Sequence, residues 1–299
     1  MAPKGQNEDS PVFSTSECKR FIVDCLEAVG TIPEHAKAHA DLLVDADYRG
    51  HYSHGMNRLE NYINDVIRKS CDPNATPKIL KENAATAWVD GCNGLGSVVG
   101  NYCMDLAIKK AKEVGVGWVV CKGMYYQIEM LIRKNKPIPE GWALDSNSNP
   151  TTDAQAAFSA GRLLPLGGSE DRSGYKGYGL GTMIEMFTGI MSGGTYGPYV
   201  RNWSIATKEE PCNLSQCFVA IDPENFAPLF NDRLQDLMDY LRNLEPLDKS
   251  KPVLVAGDPE RIHMASVDKA GGITYIQNQI DNCNKIAKEL NVKPLQPVA

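Results

Sequence analysis

The sequence predicts a mixed α/β protein of the α+β kind, with a helical N-terminal part. Two observations carry this. From residue 14 to about residue 80 the apolar residues recur at helical spacing, and between Ala85 and Gly123 the period changes to strand, helix, strand. The chain is also long enough for a sizeable core, with 299 residues of which 42% are hydrophobic and 23% charged.

Residues 1–13 are polar and predict a disordered leader. Residues 14–80 form the helical N-terminal part. Its first helix starts at Ser14 or Ser16, puts Phe21, Ile22, Cys25 and Leu26 on one face and stops at Gly30. Thr31 caps the second, just before Pro33, and this helix runs to Gly50. A third begins near Ser53 and continues through NRLENYINDVIRKS. Residues 81–299 form the α/β core and C-terminal part. ATAWVD (85–90) reads as a strand, GCNGLG as a turn, SVVGNYCMDLAIKKAKEVG as a helix and GVGWVVCKG (115–123) as a second strand. Beyond them come a turn-rich stretch at 145–153, a glycine-rich loop SEDRSGYKGYGLG and the apolar helix TMIEMFTGIMSGG. A strand at CFVAIDP, a helix around LQDLMDYLRNL, a loop VLVAGDPER and a closing helix QNQIDNCNKIAKEL complete the chain.

A net charge of −6 argues against a nucleic-acid binder, which needs a basic face for phosphates. It leaves room for an anionic substrate, since one well-placed arginine suffices. Nine scattered cysteines without a Cys-x-x-Cys pair suit reduced thiols rather than a disulfide framework. With no secretory signal and no apolar run long enough to span a bilayer, they predict a cytoplasmic protein without a membrane segment.

The most informative stretch is RGHYSHGMNRL (49–59). If a helix starts at Ser53, His54 and Arg58 lie four apart on one face near its positive end. A guanidinium that clamps a carboxylate, beside an imidazole that protonates a carbonyl, is the minimum set for a 2-oxo acid; a structural helix-surface role is the alternative. His35 and His39 share helical spacing but lack the acidic residue of a metalloprotease pair, so no metal is predicted. Gly94, Gly96 and Gly100 follow the spacing G-x-G-x-x-x-G, one residue too long for the Rossmann fingerprint. In SGYKGYGLG the glycines allow close backbone approach and Lys176 offers a charge for a phosphate, or the loop simply packs on a helix. AGDPE (256–260) is open between a ribose contact and a surface turn.

Five stretches, LLVDADYRGHYSHGMNRLENYI, TAWVDGCNGLGSVVGNYCMDLAIKKAKEVGVGWVVCKG, IPEGWALDSNSNPTTDAQAA, LLPLGG with GYKGYGLG, and VLVAGDPE, together resemble the malate/L-lactate dehydrogenase family. The resemblance implies a family-specific, non-Rossmann dehydrogenase fold and a homodimer. It also implies reduction of a small 2-oxo acid to the 2-hydroxy acid, malate- or lactate-like, with NAD or NADP as cofactor. It makes His54 the proton donor, with Ser53 and Arg58 holding the substrate. Tyr175, Lys176, Gly257, Asp258 and Pro259 would touch the dinucleotide. This sequence departs from the family after Gly123, where an Asn-His motif and a long sheet-rich segment are expected and MYYQIEM stands instead. The cofactor segment is therefore expected to be truncated near 123–128, as in a truncated isoform. The competing expectation is a catalytically impaired relative that serves as a dimeric binding or interaction protein.

Overall fold

A computed structural model describes residues 10–125, 137–200 and 213–298. Most of the expected leader, and the expected junction beyond residue 125, lie outside the described residues. The leader's end is not disordered: Val12–Phe13 form β1, which pairs antiparallel with β9 (Ile273–Thr274) and buries Phe13.

Helix α1 (Thr15–Ala28) is capped by Ser14, whose hydroxyl accepts the Glu17 N–H at 3.1 Å, and it buries Cys18, Phe21, Ile22, Cys25 and Leu26. Helix α2 (Pro33–Tyr48) starts on Ile32 with Pro33 in its first turn, so Thr31 is not the cap and its hydroxyl is buried without a partner. The third helix starts later than expected. A 3-10 turn at Met56–Arg58 precedes α3 (Leu59–Ile67), which leaves residues 50–55 as a turn. These helices pack with β1, β9 and the closing helix α9 (Gln277–Leu290) around one apolar core. Full burial of each large side chain there stabilises the fold by roughly 1.5–3 kcal/mol.

A second core lies between α4 (Gly96–Val114) and a four-stranded sheet. Its strand order is β2 (Lys78–Glu82), β3 (Thr86–Leu95), β4 (Val116–Tyr125), β8 (Leu214–Ile221), with only β3 and β4 parallel. The expected strand–helix–strand unit is thus present as β3–α4–β4. The expected turn after Asp90 is instead an irregularity within β3, with Cys92 and Asn93 at positive φ. Gly117 lets β4 approach α4, because a Cβ there would fall on the Ala107 carbonyl. Strand β2 comes from the fold alone, since KILKE carries no apolar alternation to announce it.

A small sheet, β6 (Pro150–Thr151), β5 (Ala143–Leu144) and β7 (Arg162–Leu163), frames the short helix α5 (Ala154–Ala160). The glycine-rich loop is itself helical: α6 spans Gly174–Glu185 and runs into a π-helical turn at Met186–Ile190. Helix α7 is Phe230–Arg242. The expected loop through GDPER is also helical, since α8 (Asp258–Ala270) starts at Asp258 with Gly257 as its cap and Pro259 in its first turn. Among the described residues, no helix is long and apolar enough to cross a membrane, and all eight cysteines are free.

Candidate active site

Ser53 and His54 sit on the turn between α2 and α3, not on a helix face, yet the fold brings them to Arg58. The Ser53 hydroxyl lies 2.8 Å from His54 Nδ1, and Arg58 Nε donates to the Ser53 carbonyl at 2.7 Å. His54 is exposed, whereas Arg58 is buried, at 4% exposure. Partial burial, then the Arg58 and His51 charges, lower the His54 pKa below the usual histidine value. The imidazole is therefore neutral near pH 7 until an anion offsets the guanidinium. The family expectation of Arg58 as a carboxylate clamp is modified: one edge of its guanidinium already serves the turn.

The turn is held from behind by residues that motif reasoning missed. Asp47, at the buried end of α2, accepts the Met56 N–H at 2.9 Å and the Tyr275 hydroxyl at 2.8 Å. Burial pushes its carboxyl up to about 7 against these two hydrogen bonds. A signal for it exists: Ala40, Leu43, Val44 and Asp47 share one helical stripe, so an acid interrupts a buried face. Helix α8 closes the other side. The His263 ring packs on Gly50 and lies 3.4 Å from the Tyr52 hydroxyl, and Glu260 lies 3.4 Å from His51.

The dinucleotide candidates separate into two places. The 257–259 turn stands next to the His54 turn through the Glu260–His51 and His263–Tyr52 pairs. Its Asp258 carboxylate is, however, engaged. It accepts from Arg242 at 2.9 and 3.0 Å, Arg261 at 2.6 Å and the Val255 N–H at 3.0 Å. Arg242 foremost holds it well below the usual carboxylate range. Asp258 builds the start of α8, and Gly257 and Pro259 shape that start; a ribose hydroxyl would have to share the carboxylate. Tyr175 and Lys176 lie in the exposed first turn of α6, with the ammonium 5.8 Å from the Tyr175 ring centroid. Gly177 packs on the Leu166 backbone, while Gly179 and Gly181 face open space. A helix N-terminus with a lysine and uncovered backbone suits the anionic phosphates of a dinucleotide. His35 and His39 bond separately, to the Pro73 carbonyl and to Ser97, and among the described residues no group of three potential metal ligands occurs.

The chain's fold recurs among known enzymes. The structure of malate dehydrogenase from Pyrococcus horikoshii superposes with a TM-score of 0.85 at 28% identity, covering 99% of this chain and 100% of that one. Sulfolactate dehydrogenase from Methanocaldococcus jannaschii gives 0.81 at 30% identity, covering 94% and 98%. In sequence, the Pyrococcus horikoshii malate dehydrogenase is 31% identical over 344 positions, covering 92% of this chain and 94% of the relative. The family model for malate/L-lactate dehydrogenase matches residues 13–126 and 122–283, and with such a match the chain belongs to the malate/L-lactate dehydrogenase family.

Proposed function

We propose that this chain transfers a hydride between NADH or NADPH and a small 2-oxo acid, giving the 2-hydroxy acid, with His54 as the proton donor. The single observation that supports this reading most is the Ser53–His54–Arg58 turn, in which an exposed imidazole stands on a buried cation. The relatives named malate and sulfolactate dehydrogenase point to the same substrate class, a carboxylate next to an oxidisable carbon. The anion draws to the positive field of Arg58 and relieves the repulsion that lowers the His54 pKa. The imidazole takes up a proton as the substrate settles and passes it to the carbonyl oxygen, where negative charge develops. Ser53 fixes the ring by its contact at Nδ1, which leaves Nε2 for the substrate.

The nicotinamide supplies the hydride when bound. Tyr175 and Lys176 would hold the dinucleotide's phosphate end, with Gly257, Asp258 and Pro259 shaping the neighbouring turn. We further infer that the cofactor wall is shortened after Gly123. The family match divides at 122–126, and the alignment of 344 positions takes in 92% of this chain, about 275 residues, so about 69 positions face gaps in this chain. A homodimer in the cytoplasm is part of the same proposal, and the exposed apolar side chains of α6 and α7 support an additional covering surface.

Titration with NADH and NADPH, followed by nicotinamide fluorescence, tests the proposal. Saturable binding and turnover of a 2-oxo acid are expected, with turnover falling by roughly 10²–10⁴ in His54→Ala. A folded chain that binds neither nucleotide would sink the dehydrogenase reading. Light scattering of the same sample tests the dimer.

A further inference from the structure

Asp47 is fully buried, and its bonds all lead to the turn that carries His54 or to what backs it. Oδ2 receives the Met56 N–H and the Tyr275 hydroxyl. Oδ1 is buried without a hydrogen-bond partner and faces the Gly55 Cα so closely that a Cβ at residue 55 would fall inside the carboxyl. The main chain of Asp47 takes part as well: its carbonyl accepts the Gly50 N–H at 2.9 Å, and Gly50 in turn packs on the His263 ring. The 53–58 segment is thus pinned twice, by Arg58 on the Ser53 carbonyl and by Asp47 two residues after His54. Among the described residues Asp47 has no ion pair. A buried acid with two donors and no cation is expensive to retain for stability alone.

We propose that Asp47 is a positioning residue for His54: its carboxyl sets the backbone at Gly55 and Met56, and so the direction of the imidazole. This rests on His54 being the proton donor. The titratable groups facing Asp47 are Cys18 from α1, His263 from α8, Tyr275 after β9 and Cys283 from α9. None is a standing cation at neutral pH, so the carboxyl's protonation follows burial, which pushes it up to about 7. As the proton leaves, the Met56 N–H and Tyr275 hydroxyl bonds strengthen onto the charged form, while the negative charge is left against Gly55. The hold of Asp47 on Gly55 and Met56 is therefore expected to differ between its two protonation states, because both bonds end on the same carboxyl.

The test is histidine ring NMR on the full chain, with the His54 resonance assigned from the spectrum of His54→Ala. The wild-type ring is expected to show a second inflection close to neutrality in addition to its own titration. Asp47→Asn keeps an acceptor for both donors but does not titrate. It should remove that inflection, move the His54 pKa by about half a unit and lower kcat about tenfold with little change in KM. Should that variant fail to fold, Tyr275→Phe, which deletes one donor and keeps the carboxyl, is expected to shift the same inflection. A His54 titration unchanged in whichever of these variants melts cooperatively would overturn the proposal. If His54→Ala keeps full turnover, the proton-donor reading falls instead, and the ring titration still decides whether Asp47 sets the imidazole.

Discussion

Helix α1 buries Cys18, Phe21, Ile22, Cys25 and Leu26, whereas α7 carries its own apolar stripe of Leu234, Leu237 and Leu241 and buries none of its residues. Both helices have a face at the right spacing. The first meets α2, α3 and α9; the second leaves Leu237 53% exposed. Helix α6 resembles α7 in this: Leu180, Met183 and Ile184 stand exposed, and only Gly174 is buried. The exposed set belongs to the part of the chain that follows the division in the family match at 122–126. Periodicity states that a helix needs a partner surface, and it does not supply one.

The largest test of this contrast is a pair of truncations. Phe21→Ala should destabilise the chain by roughly 3–5 kcal/mol, and Leu237→Ala by no more than about 0.5 kcal/mol, in urea unfolding. A core-sized loss at Leu237 would show that its face is covered in solution, and concentration dependence of the loss would identify a second copy as the cover.

Within the well-packed half, Asp47 gives stability a pH dependence of definite sign. Its carboxyl is held at about 7 in the fold against an ordinary 3.8, so folding takes up a proton between those values. Stability therefore falls as pH rises from about 4 to about 7, by on the order of 4 kcal/mol at full shift. Unfolding midpoints at pH 5 and pH 8 should differ less in Asp47→Asn than in wild type; an equal difference would place the dependence elsewhere.

Activity should titrate in the opposite sense for the two directions of reaction. Reduction of the 2-oxo acid requires protonated His54, so kcat/KM falls as pH rises through a free-enzyme pKa below the usual histidine value. Oxidation requires the neutral ring and falls on the acid side of the same pKa. A common profile for both directions would remove His54 from proton transfer.

The smallest expected effect is in the open half. Lys176→Ala should weaken NADH binding by about tenfold, or ~1.4 kcal/mol, without moving the melting temperature, because the side chain is exposed at the start of α6. Asp258→Ala should do the reverse, lowering the melting temperature through the loss of the Arg242 and Arg261 pairs more than it lowers affinity.

Much of this molecule was legible from local pattern. The apolar face of α1, the β3–α4–β4 unit, β8, α7 and the closing helix α9 each follow from spacing and end signals within their own segments, and five stretches in combination, from the His54 segment to VLVAGDPE, carry the family resemblance. Where helices start elsewhere than their end signals indicate, the reason is local competition. Glycines at 174–181 signal a loop, yet Gly177 packs on Leu166 and the segment coils as α6. Ser53 signals a cap, yet Asp47 and Arg58 hold residues 53–55 as a turn before the 3-10 turn at Met56 and delay α3 to Leu59.

Local pattern is enough for the family, the helical N-terminal body and the residue types of the candidate site, because these depend on neighbours a few positions apart. It takes the assembled fold for Asp258 to be occupied by Arg242 and Arg261, for Tyr275, 228 residues away, to meet Asp47 beneath the His54 turn, and for α6 and α7 to keep open faces. Those outcomes depend on which surfaces meet across the fold, and burial of a charge or of an apolar face is a property of that meeting rather than of the residue.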